Sequence, residues 1–315
     1  MDQAYVCSRL RREFNRTGYI LLIYYGMMTA AVTVAIVVQS LCLALTGQNL
    51  SQEALTAALM GNGWGYIVAV VVGCVILLLW KKPEFCFRTI WKRNRPMTVG
   101  TFLALLSIFL SAQLFFQLFA QLMEYLFNLI GMSVMDSINA ASGVEDTVSM
   151  FVYACILAPL CEEVLFRGLL LRMMEPYGKK FAVFATAFLF GIFHANIVQS
   201  PFAFFVGLVL GYVTVEHGML WAVLLHFINN LVLGDLLSRF TAGCPQMGEM
   251  IFWFIIVAST IAAIVVCIVK WKDIRGYLCE KKIHPWCMKS FFTSPGILIF
   301  ALLMLGNIAL TMLMS

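Results

Sequence analysis

Ionisable and amide side chains interrupt only a few of the long apolar runs in this 315-residue chain. They fall in three short segments, and the residues concerned are Glu162, Glu163, Arg167, His194, His226 and Asn230. An ionisable side chain at the centre of such a run costs about 3 kcal/mol or more unless it is paired or reaches water. These six residues are therefore the candidates for chemistry.

The first segment contains two adjacent carboxylates that differ in their helical neighbours. Glu163 and Arg167 are four residues apart, so their side chains can meet and neutralise each other. Glu162 lies about 100° further round a helix and lacks that partner. A poorly hydrated carboxylate holds a proton more readily than one in water, which suits a general base near neutral pH. Pro159 removes a backbone hydrogen bond nearby and would help water to enter. A structural ion pair between two helices would explain Glu163 and Arg167, but it leaves Glu162 unexplained.

The other two segments supply neutral polar groups. A lone histidine such as His194 is most often an interhelical hydrogen-bonding group. His226 and Asn230 are four residues apart and project from one helix face, so both can direct donors at one point. Two donors converging in a dry site can stabilise the oxyanion that forms when a peptide carbonyl is attacked. Asn229 is expected to point away and to serve in packing.

The elements that must position these residues are membrane-spanning helices. The chain is 62% hydrophobic and 12% charged, with a mean hydropathy of +0.91, whereas soluble domains carry about 25% charged residues. Uncharged runs reach the length that crosses a bilayer core of about 30 Å. We predict an all-α polytopic transmembrane bundle of about eight to nine spans. The predicted spans are 19–46, 64–80, 99–123, 147–171, 181–197, 202–216, 219–237, 250–269 and 297–314.

Charge in the loops predicts the topology. The net charge of +5 comes from clusters at the ends of the spans, so it indicates membrane orientation and not nucleic-acid binding. The basic loops are 1–16, 81–98, 172–180 and 270–289. Placing them in the cytoplasm gives nine crossings with a cytoplasmic N-terminus, in an integral protein of the plasma membrane.

The remaining loops carry little positive charge. Glu53 is the only charge after the first span, and 124–146 is acidic with Glu145 and Asp146 near its end. Glu216 and His217 fall at a predicted cytoplasmic turn, where we expect them to be solvated. A rise of 1.5 Å per residue puts Glu162, His194 and His226 about 10–20 Å from the cytoplasmic ends of their spans. The sequence therefore predicts a site near the cytoplasmic leaflet.

The polar motifs divide the chain into three predicted parts. Residues 1–140 form N-terminal spans with an acidic outer loop, 141–240 form a core with the polar motifs, and 241–315 form C-terminal spans with a basic loop.

Taken in order, the three motifs resemble those of a known family. Glu162-Glu163-x-x-x-Arg167, Phe190-x-x-x-His194 and His226-x-x-x-Asn230 are similar to the motifs of the CPBP family. This family comprises the CAAX prenyl endopeptidases and bacteriocin-processing proteins, also called Abi proteins. The resemblance covers about residues 145–240, and Phe166 and Gly168 flank the arginine as the family prefers.

The resemblance implies proteolysis within the membrane. Glu162 would be the base that activates water, His194 would help to hold that water, and His226 with Asn230 would form the oxyanion hole. Structural support would come from Glu163, Arg167 and Phe190. No cofactor is expected in this mechanism. The alternative is a zinc-dependent version of the protease, with Glu162, His194 and His226 as ligands and an open fourth position.

Two further classes of function stay open. A catalytically inert membrane scaffold or immunity protein could keep the fold without the chemistry. A proton- or ion-coupled transporter could use the same residues as a relay, although no internal repeat is visible. The expected partners are the lipid bilayer and a membrane-associated protein or peptide substrate, with no nucleic acid.

Overall fold

The computed structural model describes residues 3–46, 61–142, 147–280 and 283–314, and Glu53, Glu145 and Asp146 lie outside these ranges. The described residues are helical with short connections and contain no strand. The helices, renumbered along the chain, are α1 (Gln3–Leu45), α2 (Trp64–Leu79), α3 (Val99–Asn128), α4 (Met135–Ser142), α5 (Val148–Tyr177), α6 (Lys179–Phe193), α7 (Gln199–His217), α8 (Met219–Phe240), α9 (Pro245–Val269), α10 (Trp271–Cys279), α11 (Pro285–Phe292) and α12 (Pro295–Met314).

Most of these helices have membrane dimensions. Seven are long and apolar enough to cross a bilayer, and α2 is a shorter apolar helix. Large apolar side chains face outward, for example Phe254 at 74% exposure, Ile268 at 70% and Leu302 at 67%. Such a surface is stable against lipid and unfavourable in water. The prediction of an all-α polytopic bundle is confirmed.

Helices α6 and α7 form a tight antiparallel hairpin. The 15-residue α6 ends at Phe193, so the predicted span 181–197 is too long at its C-terminal end. At 1.5 Å per residue α6 is about 22 Å long and falls short of a full bilayer core. A Cβ at Gly191 would lie 2.8 Å from the Ser200 carbonyl oxygen. This glycine lets the two helices approach closely where the chain turns.

Contacts between the loops define two distinct ends of the bundle. At one end, called the basic end, Arg11 bonds Thr293 at 3.2 Å and Lys180 bonds the Leu278 carbonyl at 3.2 Å. At the other end, called the opposite end, the Thr147 hydroxyl donates to the Gly61 carbonyl at 2.6 Å. The helix directions place all four predicted basic loops at the basic end.

Glu216 and His217 are buried at the basic end, at 5% and 6% exposure, so the expectation that they are solvated is wrong. Glu216 pairs with Lys179 at 3.0 Å and Arg95 at 3.7 Å. The turn from α7 to α8 is the single residue Gly218, whose φ of 104° suits glycine. So short a turn cannot lift its neighbours out of the bundle, and the loop before α3 covers them.

Candidate active site

Helix α5, which carries both glutamates, alternates between α and π geometry. Its α-helical segment Ala158–Glu163 is flanked by π segments Val152–Leu157 and Val164–Leu170. Such π segments inside α-helices are frequent at functional sites because they change the direction of the side chains that follow. Here the Glu162 side chain is 19% exposed, whereas that of Glu163 is fully buried.

Glu163 and Arg167 form the predicted ion pair. Arg167 Nη1 lies 3.0 Å from Glu163 Oε1, and both side chains have no exposed surface. The guanidinium also donates to the Gly207 carbonyl at 3.3 Å and lies 4.1 Å from the Phe190 ring centroid. The ion pair, the carbonyl and the ring offset much of the cost of burying this charge, although Arg167 Nε and Glu163 Oε2 have no hydrogen-bond partner among the described residues. Phe190 thus contacts the pair that it was predicted to support.

His226 lies between the two glutamates. Its Nδ1 is 2.9 Å from Glu163 Oε1 and its Nε2 is 3.8 Å from Glu162 Oε2. As the carboxylate partner of Arg167, Glu163 accepts this hydrogen bond, and Nδ1 carries the hydrogen. His226 Nε2 is then the ring atom that faces Glu162. This contact joins two helices that are far apart in sequence, so local spacing gave no signal of it.

His194 lies just beyond the end of α6 and not within a span as predicted. Its Nδ1 is 2.8 Å from the Phe190 carbonyl oxygen, so Nδ1 carries a hydrogen and Nε2 is left as an acceptor in the neutral ring. Ala195, the next residue, has a φ of 47°. Left-handed backbone at a residue other than glycine is strained and tends to occur at functional sites.

A chain of amide hydrogen bonds fixes Asn230. Gln113 Nε2 donates to Asn229 Oδ1 at 2.6 Å, and Asn229 Nδ2 donates to Asn230 Oδ1 at 3.0 Å. Asn230 Nδ2 in turn donates to the Ala154 carbonyl at 3.2 Å. The prediction that Asn229 points away is wrong, because α8 changes to π geometry at Ile228–Leu236 and the α-helical periodicity no longer holds.

These residues share one cavity of about 780 Å³. Its polar lining includes Glu162, His194, His226, Asn229 and Asn230. Such a volume is within the range of about 300–1,000 Å³ that is typical of ligand sites. All four predicted catalytic residues therefore lie in one space.

Other polar residues that line the cavity were not predicted from the sequence, among them Gln113, Gln117, Asp235 and Glu249. Gln113 and Gln117 are four residues apart in an apolar span, and this spacing was the signal that could have found them. Asp235 lies further along helix α8, where it pairs with Arg239.

The described residues contain no group of three or more His, Cys, Asp or Glu side chains arranged to hold a metal ion. In particular, Glu163 engages His226 Nδ1, and the other ring nitrogen lies 3.8 Å from Glu162. Glu162, His194 and His226 are therefore not arranged as a set of metal ligands in this structure.

The comparisons with known proteins agree with the motifs. Residues 144–232 match a family model described as type II CAAX prenyl endopeptidase Rce1-like. The CPBP resemblance is confirmed. The match covers less than a third of the chain and includes all three CPBP motifs. At the level of this family, the activity is that of a CAAX-type intramembrane protease. Neither a search of curated proteins nor a search of solved structures found a match.

Proposed function

We propose that this CPBP protein is an intramembrane endopeptidase in which Glu162 activates the attacking water. The proposal rests on the different surroundings of the two adjacent glutamates. Arg167 and His226 contact Glu163 at 3.0 and 2.9 Å, whereas Glu162 lines the cavity and lies 3.8 Å from His226 Nε2. A carboxylate in such a position can take a proton from water.

His194 supports the same step. Since its Nδ1 hydrogen is directed at the Phe190 carbonyl, Nε2 can accept a hydrogen bond from the water that Glu162 deprotonates. Removal of one proton by Glu162 leaves a hydroxide, which attacks the peptide carbonyl carbon. Glu162 then returns the proton to the amine as the C–N bond breaks, so the glutamate is unchanged after one cycle.

Asn230 and His226 are the donors for the oxyanion. One Nδ2 hydrogen of Asn230 is bound to Ala154, and the other is free for the substrate oxygen. His226 donates from Nε2 only when the ring is doubly protonated, because Nδ1–H already points to Glu163. The doubly protonated ring gives the oxyanion a charge-assisted hydrogen bond, which is stronger than a neutral one.

The decisive experiment replaces Glu162 with the isosteric amide. Membranes are prepared from cells that express the wild-type protein, the Glu162→Gln variant or neither. New peptide termini in these membranes identify cleavage sites that depend on the wild-type protein. A synthetic peptide that spans the most abundant of these sites is then assayed with purified protein. We expect Glu162→Gln to lower kcat about 100- to 10,000-fold, with an unchanged melting temperature. Glu84→Gln is the matched control, since Glu84 is exposed and pairs only with Arg88.

Wild-type activity in Glu162→Gln would overturn the glutamate mechanism. Termini that are identical with and without the wild-type protein would favour the inert scaffold.

A further inference from the structure

The cavity is closed toward the basic end. In α5 the residues that follow Glu163 are tightly packed, and those with 1% exposure or less include Leu165, Phe166, Arg167, Leu169, Leu170 and Leu171. From the facing helices, Leu210 and Leu225 are also fully buried. Apolar packing of this density leaves no room for a chain of water molecules or a peptide.

Ion pairs close the basic end itself. Arg172 bonds Glu175 at 3.0 Å and donates to the carbonyl oxygens of Lys92 and Thr214. These contacts join α5, the loop before α3, and α7. A substrate approaching from this end would have to separate several charged groups before it met the packed layer beneath them.

The cavity opens toward the opposite end. Its lining reaches the turn between α8 and α9, where Ser238, Ala242, Pro245 and Glu249 are exposed. None of its lining residues comes from the connections at the basic end. The open path to Glu162 therefore starts at the turn between α8 and α9.

The charge distribution identifies the side of the membrane on which this opening lies. In the described connections of the opposite end, 61–63, 129–134, 194–198 and 241–244, there is no Lys or Arg. Arg239, near the end of α8, is paired with Asp235. Because Lys and Arg are enriched in cytoplasmic loops, the opposite end is the extracytoplasmic one.

We propose that the substrate peptide reaches Glu162 from the extracytoplasmic side, through the opening at the α8–α9 turn. The substrate class is then the outer juxtamembrane segment of a membrane-anchored peptide, and not a peptide presented from the cytoplasm. This inference rests on the proposed function and revises the expectation of cleavage near the cytoplasmic leaflet.

Two native cysteines test the orientation. Cys244 is exposed at the α8–α9 turn, and Cys279 is exposed at the basic end. Right-side-out vesicles are treated with a membrane-impermeant maleimide, and labelled cysteines are identified by mass spectrometry. We expect Cys244 to be labelled in sealed vesicles and Cys279 only after permeabilisation. The reverse pattern, or labelling of both in sealed vesicles, would overturn the proposal.

Two engineered cysteines on α3 test access to the interior. Gln117 lines the cavity, whereas its neighbour Leu118 is 57% exposed on the lipid side of the same helix. A small charged methanethiosulfonate added to right-side-out vesicles should modify Gln117→Cys at least about tenfold faster than Leu118→Cys, because thiolates react and lipid excludes them. Inverted vesicles should show no such preference.

The proposed path would be contradicted if Gln117→Cys were modified equally slowly in right-side-out and inverted vesicles. It would also be contradicted if Gln117→Cys were modified faster in inverted vesicles. Neither measurement requires catalysis. An inactive protein that shows the expected labelling would therefore refute the protease and leave the access route standing.

Discussion

The two halves of helix α5 differ sharply although they meet between adjacent glutamates. The sealed half runs from Glu163 to the basic end and is packed with apolar side chains around one ion pair. The hollow half runs from Glu162 to the opposite end and faces a cavity of about 780 Å³. Helix geometry alone thus assigns one carboxylate to structure and presents the other to the cavity.

The polar groups of the two halves are satisfied in different ways. In the sealed half, Glu163 Oε1 contacts both Arg167 and His226. In the hollow half, Glu162 and His194 line the cavity, and Glu162 Oε2 lies 3.8 Å from His226 Nε2, beyond hydrogen-bond distance. Polar atoms without internal partners must bind water or a ligand, since leaving them buried and unpaired is costly. The sealed half therefore fixes α5 beside the cavity, and the hollow half leaves polar atoms available to water or a ligand.

The largest expected effect comes from breaking the sealed half. Arg167→Met leaves the Glu163 carboxylate buried with its hydrogen bond to His226 but without its cation, and removing one partner of a buried pair costs about 3–5 kcal/mol. We expect a loss of stability of this size, measured by reversible unfolding in bicelles, and a loss of activity with it.

A double variant separates the charge from the packing. Glu163→Leu combined with Arg167→Met removes both charges and should regain most of the stability. Its activity should stay low, because His226 has lost the carboxylate that orients its ring. A single Arg167→Met protein as stable as the wild type would show that the pair is not a structural element of the sealed half.

The next effect belongs to the hollow half. Asn230→Ala removes a donor for the oxyanion, and we expect kcat to fall about 100- to 1,000-fold, or about 2.7–4 kcal/mol. Stability should change less than in Arg167→Met, since two hydrogen bonds are lost, one to Ala154 at 3.2 Å and one from Asn229 at 3.0 Å. A kcat within threefold of the wild type would exclude Asn230 from oxyanion binding.

Local features of both halves could be predicted from the sequence. The apolar runs give the helical bundle, because a bilayer demands helices of a certain length with satisfied backbone groups. The Glu163–Arg167 contact follows from a spacing of four on one helix. The three motifs also fall in one cavity, as their order on successive helices suggested.

The rest depends on features that spacing does not encode. Asn229 faces the cavity because α8 becomes π-helical after Phe227. The prediction assumed the angle between successive side chains of an α-helix, and a π-helix has a different angle. His194 leaves its helix because α6 ends early against the α7 hairpin. Gln113 enters the site through a contact across 116 positions of sequence. Each is a tertiary effect.

A smaller effect tests the amide chain of the hollow half. Gln113→Met removes the donor that orients Asn229, and through it Asn230. We expect kcat to fall about tenfold, or about 1.4 kcal/mol, with KM unchanged. Gln117→Met, in the same cavity without that hydrogen bond, should affect kcat less. A rise in KM instead would indicate that Gln113 binds substrate directly.

The smallest effect concerns the turn that holds His194. Ala195 adopts a φ of 47°, which costs about 1–2 kcal/mol for a residue with a Cβ. Ala195→Gly removes that cost but loosens the unfolded chain, so we expect a net gain of up to about 1 kcal/mol. Ala262→Gly, on an exposed helical position of α9, should instead lose about 1 kcal/mol.

Opposite signs for these two variants, measured by unfolding in the same bicelles, would show that the hollow half stores strain where it positions His194. Because a looser turn holds the imidazole less firmly, the stabilised Ala195→Gly protein should also have a slightly lower kcat. Equal destabilisation of both variants would mean that the turn at Ala195 is not strained. The position of the His194 ring would then depend on its packing against Phe190 alone.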